Sequence, residues 1–158
     1  ECVAAIASSE NGVAMLPQPF VTTAETQNPS IRTALDLTEE WDKAQETGEN
    51  NSALITGVVV ARADFAEENP EAVEDFMTRY QESVDYVNSN TEAAAELVGK
   101  YDIVTAEVAK TALPECNIVF MEGEEMKEKL SGYLEVLKGQ NPEAVGGEVP
   151  GDDFYYSR

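Results

Sequence analysis

Histidine is absent from this chain of 158 residues, and it contains only two cysteines and ten basic residues. The lack of histidine removes the most frequent general base and the most frequent nitrogen ligand of metal ions. Cys2 and Cys116 lie far apart and form no CxxC motif, so they predict neither a zinc site nor a disulfide framework, although a bridge between them stays open. The chain also has no Gly-rich phosphate loop and no nucleophile elbow. We therefore predict no catalytic residue, no metal ligand and no cofactor.

Positive charge is scarce, since 31 acidic residues outweigh the ten basic ones and give a formal net charge of −21. Such a surface repels phosphate backbones and anionic lipid headgroups, so no nucleic-acid partner is expected. No apolar run approaches the roughly 18 residues that a membrane-spanning helix needs. The hydrophobic content of 42% is ordinary for a globular protein. The acidic surface favours solubility over any particular cationic partner.

Three short apolar segments predict β-strands, at residues 13–16, 31–37 and 53–63. The last of them contains the run Val58-Val59-Val60 and is continuously apolar, which is typical of a strand covered on both faces. Two or three such strands cannot complete a sheet. They need neighbours, which come either from self-association of this chain or from sequence outside it.

Helices are predicted around these strands and throughout the second half of the chain. Helical patterns cover residues 1–9, 20–27 and 70–88, the last with Pro70 at the first helical position. Thr38, Thr91 and Thr105 are predicted N-caps of further helices. A final long helix is expected to end at Gly139, and residues 48–52 are predicted to form a turn.

A rigid corner, Pro17-Gln18-Pro19, separates the first predicted strand from the helix that begins at Phe20. The two prolines restrict the backbone on both sides of a polar amide. One interpretation is a purely structural turn. The other is that the corner directs Gln18, together with free N–H groups of residues 20–23, toward a ligand, because a helix N-terminus suits anionic or polar groups. Both interpretations stay open at this point.

Several segments, in order, resemble solute-binding proteins of bacterial ABC transporters. The similar segments are residues 3–8 and 12–20, Leu37-Thr38-Glu39-Glu40-Trp41, residues 55–62 with Phe65 and 69–73, and residues 150–156. The family has the type 2 periplasmic-binding-protein fold, and the branch is NMT1-like, which handles nitrate, sulfonates, taurine or thiamine precursors. No single motif is diagnostic, and the order of the segments carries the resemblance.

The resemblance implies an α/β fold with two lobes, of which this chain would cover only the C-terminal portion. Residues 1–62 would then be the remainder of the second lobe with a crossover strand, and residues 63–158 the helical C-terminal part of the first lobe. The implied function is to trap a small solute, such as a sulfonate, nitrate or pyrimidine, between the lobes and deliver it to a membrane permease. The implied location is extracytoplasmic, either periplasmic or anchored by a lipidated cysteine outside this chain.

The residues expected to contact the ligand lie mainly at the corner, with two more from the longest predicted strand. They are Met15, Pro17, Gln18, Pro19, Thr22, Thr56 and Gly57. One competing function is that of a pyrimidine-forming synthase of the same fold, although that enzyme relies on a catalytic histidine. A second is a ligand-sensing domain of a transcription regulator, and a third is a plain interaction module.

Overall fold

The chain is helical in a computed structural model that describes residues 1–46 and 51–157, with 61% of residues in helices. Within these ranges the α-helices are α1 (Cys2–Ala7), α2 (Phe20–Gln27), α3 (Leu37–Gln45), α4 (Ala63–Glu68), α5 (Pro70–Ser89), α6 (Thr91–Lys100), α7 (Ala106–Ala112) and α8 (Gly123–Gln140). Short 3-10 helices cover Leu113–Glu115, Pro142–Val145 and Asp152–Phe154. Among the described residues, no helix is both long and apolar enough to cross a membrane.

The predicted α/β fold is wrong, because the described ranges contain no strand and no sheet. The segments 13–16, 31–37 and 53–63 are irregular, except that α3 begins at Leu37 and α4 at Ala63. In residues 13–16 and 53–61, no described backbone group bonds to another backbone group. A strand obtains its hydrogen bonds only from a neighbouring strand, and these isolated segments do not supply one another with that neighbour.

More of the helix predictions than of the strand predictions are confirmed, because helical hydrogen bonds are local. The predicted bounds of α2 and the start of α5 at Pro70 are confirmed. Thr105 caps α7 as predicted, its Oγ1 accepting from the Val108 N–H at 3.3 Å. Thr38 and Thr91 are not the caps, however, because each already lies inside its helix. The predicted turn at 48–52 falls largely outside the described residues.

Asp36 caps α3 in place of Thr38. Its Oδ1 accepts from the N–H groups of Thr38 at 2.8 Å and Glu39 at 3.3 Å. Aspartate caps a helix at least as well as threonine and adds a negative charge near the positive end of the helix dipole. The helix therefore starts earlier than a threonine cap predicts.

The chain divides into two compact units, and the predicted lobe boundary at residue 62 stays a prediction. Unit 1 comprises Glu1–Ala34 and Asp75–Phe120. In it, α6 packs on α7, and α2 contacts both α1 and α7. Its buried side chains are mostly small, namely Ala24, Ala94, Ala95, Ala109, Ala112, Thr22 and Val84. A core of alanines buries little apolar area per residue, so it depends on close approach of the helix backbones.

Unit 2 comprises Leu35–Glu74 and Met121–Arg158, and the half-buried Trp41 of α3 makes two of its side-chain contacts. The Trp41 ring lies 5.3 Å from that of Tyr133 in α8, between ring centroids. Its Nε1–H donates to Oγ of the buried Ser52 at 3.1 Å. Asn51 accepts from Lys129 Nζ at 2.6 Å and donates to Glu128 at 3.0 Å. Residues 51 and 52 are thereby fixed to α8 and α3.

After the half-buried residues 53–55, the apolar segment is exposed to solvent from Thr56 onward. Val58, Val59 and Val60 leave 56%, 57% and 76% of their surface accessible. The sequence pattern predicts burial of these residues on both faces, and the structure places them on the surface. Among the residues that the structure describes, no neighbouring strand is present to pair with this segment.

We predict opposite effects for alanine at two helical glycines. A Cβ on Gly99 would lie 2.9 Å from the Ala106 backbone nitrogen and 3.0 Å from its Cβ, so Gly99→Ala should push α6 and α7 apart. The expected cost is about 1–3 kcal/mol of unfolding free energy. A Cβ on Gly139 in α8 meets no atom within 4 Å, so Gly139→Ala should stabilise the protein by about 0.5–1 kcal/mol. Urea unfolding followed by circular dichroism measures both, and equal effects would contradict the close approach of α6 to α7.

Candidate ligand-binding site at the Pro-Gln-Pro corner

The corner at residues 17–19 is closed by its own backbone hydrogen bonds. The Gln18–Pro19 peptide bond is cis, and Pro19 is the N-cap residue of α2. The Pro17 carbonyl accepts from the N–H groups of Phe20 at 2.9 Å and Val21 at 3.3 Å. The Pro19 carbonyl accepts from Thr23 N–H at 3.0 Å. The Thr23 bond is the first regular bond of the helix, and Pro19 has no N–H, so the Pro17 carbonyl satisfies two of the three N–H groups that this helix start would leave free.

The Gln18 side chain satisfies the third of these N–H groups, that of Thr22. Its Oε1 accepts from the Thr22 hydroxyl at 2.9 Å and from the Thr22 backbone N–H at 3.3 Å. Because a backbone N–H can only donate, the amide atom facing it must be the oxygen, which fixes the orientation of the carboxamide. Thr22 is only 6% exposed, so this contact is shielded from water on its threonine side.

The hydrogen bonding changes what the corner can offer a ligand. The N–H groups of residues 20–23, expected from the sequence to be free, are all engaged within the corner. The Gln18 NH₂ group, in contrast, forms no hydrogen bond within residues 1–46 and 51–157. Gln18 is half-buried, and its oxygen is held in place, so its two N–H donors are presented from a fixed amide. The corner therefore offers donors to an acceptor and no free helix N-terminus.

The other predicted site residues differ in their surroundings. Met15 is 82% exposed, Pro17 is exposed and Pro19 is half-buried. Thr22 is buried and supports Gln18, so its hydroxyl is already used. Thr56 and Gly57 are exposed and belong to unit 2, whereas the corner belongs to unit 1. The five predicted site residues between Met15 and Thr22 are near one another because they are near in the chain. Contact of a ligand with any of the seven predicted residues stays a prediction.

A shallow depression in unit 2 is not among the predicted sites. It has a volume of about 260 Å³ and is lined by Arg62, Asp64, Phe65 and Glu68. Arg62 forms an ion pair with Asp64, and its hydrogen bond holds the pKa of that carboxyl below the ordinary value. In the sequence, this depression is indicated only by the position of Arg62, which directly follows the apolar run. Since its charge is already paired with Asp64, the depression is a weaker anion site than an unpaired arginine would make.

The two cysteines are free thiols, and no disulfide joins them. Cys2 is exposed, whereas Cys116 is half-buried. Burial, with a smaller contribution from the charge of Glu115, raises the pKa of the Cys116 thiol. Its thiolate fraction near neutral pH is therefore reduced, which makes it a poor nucleophile. Across the described ranges, no three acidic or thiol side chains group together in a way that could hold a metal ion.

Comparison with protein-family models, with curated proteins and with solved structures gives no match to this chain. The resemblance to solute-binding proteins accordingly depends on the order of the sequence segments alone.

We predict that the Gln18–Thr22 contact contributes to stability. Thr22→Val keeps the shape of the buried side chain and removes the hydroxyl that donates to Gln18, so it should cost about 1 kcal/mol. Thr26→Val is the matched control, because the Thr26 hydroxyl donates only to the Thr22 carbonyl of its own helix and Thr26 is exposed. The control should change stability by less than about 0.5 kcal/mol. Thermal unfolding measures both, and equal destabilisation would show that Gln18 is not held through Thr22.

Proposed function

We propose that this chain is part of the extracytoplasmic solute-binding component of an ABC import system, and that it binds its solute at the Pro17-Gln18-Pro19 corner. The observation that carries this proposal is the Gln18 carboxamide. Its oxygen is occupied by Thr22, and its NH₂ group is left to donate from a rigid position. A donor whose orientation is fixed before binding loses little conformational entropy when it meets a ligand.

The free donors favour a solute that presents acceptor oxygens. Sulfonate and nitrate groups carry only acceptors, so they complement the Gln18 NH₂ group directly. A pyrimidine can use a carbonyl oxygen there, but its ring N–H groups gain nothing from Gln18, because the amide oxygen is already bonded. The corner therefore suits an oxoanion better than a nitrogen base.

The charge of the protein refines this choice. A chain with a net charge of −21 repels a bare anion over distances up to the screening length, which is about 8 Å at physiological ionic strength. A zwitterionic aminosulfonate has no net charge and escapes this repulsion, and its ammonium group is compatible with an acidic surface. We therefore place aminosulfonates first, ahead of simple sulfonates and nitrate.

In this proposal no covalent bond is made or broken. The bound form of the protein is recognised by a membrane permease, to which the solute is handed over. A ligand can favour one form of its protein only through a difference in affinity between the two forms, so capture and delivery both depend on how strongly the corner discriminates.

The test uses Gln18→Glu, which separates the contact of this side chain with Thr22 from its proposed contact with the solute. A glutamate keeps an oxygen that accepts from Thr22, but it replaces the NH₂ donors by a second acceptor with negative charge. We expect the variant to unfold no more easily than the parent, since an acid near a helix N-terminus is stabilising. We expect it to lose affinity for taurine, ethanesulfonate and nitrate, each titrated by calorimetry.

Gln27→Glu is the matched control, since it makes the same change at an exposed position at the other end of α2. The control should bind as the parent does. A saturating ligand at about 100 times its Kd should raise the unfolding free energy of the parent by about 2.7 kcal/mol. If the parent binds none of these solutes, or if Gln18→Glu binds them unchanged, the proposed function is wrong.

A further inference from the structure

Asn11-Gly12 is the only Asn-Gly pair in the chain, and it lies outside the proposed ligand site. Both residues are exposed, and Asn11 lies in a bend that follows α1. Within residues 1–46 and 51–157, the Asn11 side chain forms no hydrogen bond and the Gly12 N–H donates to no acceptor. The pair is therefore restrained neither by regular secondary structure nor by hydrogen bonds.

An asparagine side chain in this setting can react with the backbone nitrogen that follows it. The Gly12 nitrogen loses its proton to hydroxide, attacks Cγ of Asn11 and closes a succinimide ring. The bond between Cγ and Nδ2 then breaks, and Nδ2 leaves as ammonia. Because glycine has no Cβ, its nitrogen is the least hindered one that can follow an asparagine.

Water completes the reaction by opening the succinimide ring. If the bond between the Gly12 nitrogen and Cγ breaks, position 11 becomes an ordinary aspartate. If the bond between that nitrogen and the backbone carbonyl carbon breaks instead, position 11 becomes an isoaspartate, whose backbone continues through Cβ and Cγ. The whole reaction consumes a molecule of water and releases a molecule of ammonia, so it needs no other reagent.

The sequence disfavours the same reaction at most other asparagines. Asn28, Asn69 and Asn141 precede prolines, which have no N–H to lose. Asn90 and Asn117 precede β-branched residues, whose bulk hinders attack by the neighbouring nitrogen. None of these five positions therefore matches Asn11 in the access of the following nitrogen to Cγ.

The structure restrains two asparagines that precede the small residue serine. Asn88 lies in α5, and its Nδ2 donates to the Ile118 carbonyl at 2.9 Å. Nδ2 of Asn51 donates to Glu128 at 3.0 Å. An amide held in this way must break its hydrogen bond before its Cγ can turn toward the next nitrogen. Among the asparagines that the structure describes, Asn11 alone combines a following glycine with an unbonded amide.

We propose that Asn11 is a self-modification site, which converts to aspartate and isoaspartate in the folded protein without an enzyme. The isoaspartate adds a methylene group to the backbone directly before Gly12, where the chain fits closely against α1. A Cβ at position 12 would lie 3.0 Å from Ile6 Cδ1 and 3.1 Å from Ser9 Oγ. The longer backbone displaces Gly12 from this place and loosens α1, which packs on α2. Neither step depends on ligand binding at the corner.

The first experiment measures deamidation of each asparagine by peptide mass spectrometry, in the folded protein and in guanidinium chloride. We expect the rate at Asn11 in the folded protein to be within about threefold of its rate in the unfolded chain, since the fold does not restrain it. At Asn88 the folded protein should react at least about tenfold more slowly than the unfolded chain. The rate at Asn11 should rise with hydroxide concentration, and Asn11→Gln should remove the reaction at this position.

Two results of this experiment would overturn the proposal. One is an Asn11 amide that persists in the folded protein while the unfolded chain loses it. The other is equal protection of Asn11 and Asn88 by the fold, which would show that the bend restrains Asn11 as firmly as helix α5 restrains Asn88.

The second experiment separates the added backbone atom from the added charge. The isoaspartate form, isolated by chromatography, is compared with Asn11→Asp, which has the same charge and an ordinary backbone. We expect amide exchange in α1 to be at least about tenfold faster in the isoaspartate form, whereas Asn11→Asp should exchange as the parent does. Equal exchange in the two forms would show that the longer backbone does not loosen α1, and that part of the proposal would be wrong.

Discussion

The constraint on which this structure depends is where a backbone finds its hydrogen bonds. A helix pairs each N–H with a carbonyl four residues earlier, so α5 or α8 can form wherever its own sequence permits. A strand must find its partner elsewhere in the chain or in another chain. Residues 53–61 have the composition of a buried strand and yet stay unpaired. The described chain is therefore helical, with its most strand-like segments left as exposed connections.

This constraint explains how far the fold can be predicted from the sequence. The α2 bounds, Pro70 at the start of α5 and the Thr105 cap are local features, and each is predictable from a few neighbouring residues. The strands at 13–16, 31–37 and 53–63 are predicted from composition, which indicates what a strand would look like but not whether a neighbour exists. The cap of α3 is predicted wrongly for a different reason. Asp36 and Thr38 are both good N-cap residues, and only the hydrogen bonds in the structure select Asp36.

The same distinction applies to the candidate site. The sequence predicts the corner, because two prolines around a glutamine restrict the backbone whatever lies nearby. It does not predict that the Gln18 oxygen is bonded to Thr22, four residues on, nor that the Pro17 and Pro19 carbonyls occupy the helix N–H groups. These contacts move the donor role from the helix to the Gln18 NH₂ group. Under the proposed function, the oxygen and the nitrogen of this amide have separate roles, so stability and ligand binding could be changed independently at Gln18.

The net charge of the chain affects whether its exposed apolar segment can contact another molecule. Val58, Val59 and Val60 would favour association in any chain, and nearby like charge opposes it. Here the opposing charge belongs to the rest of the chain, since residues 51–61 have none. Repulsion of this kind acts over a screening length and weakens with salt, whereas backbone pairing acts only at contact. Added salt therefore weakens the charge repulsion that opposes contact between these valines in two copies of the chain, while their apolar surface is unchanged.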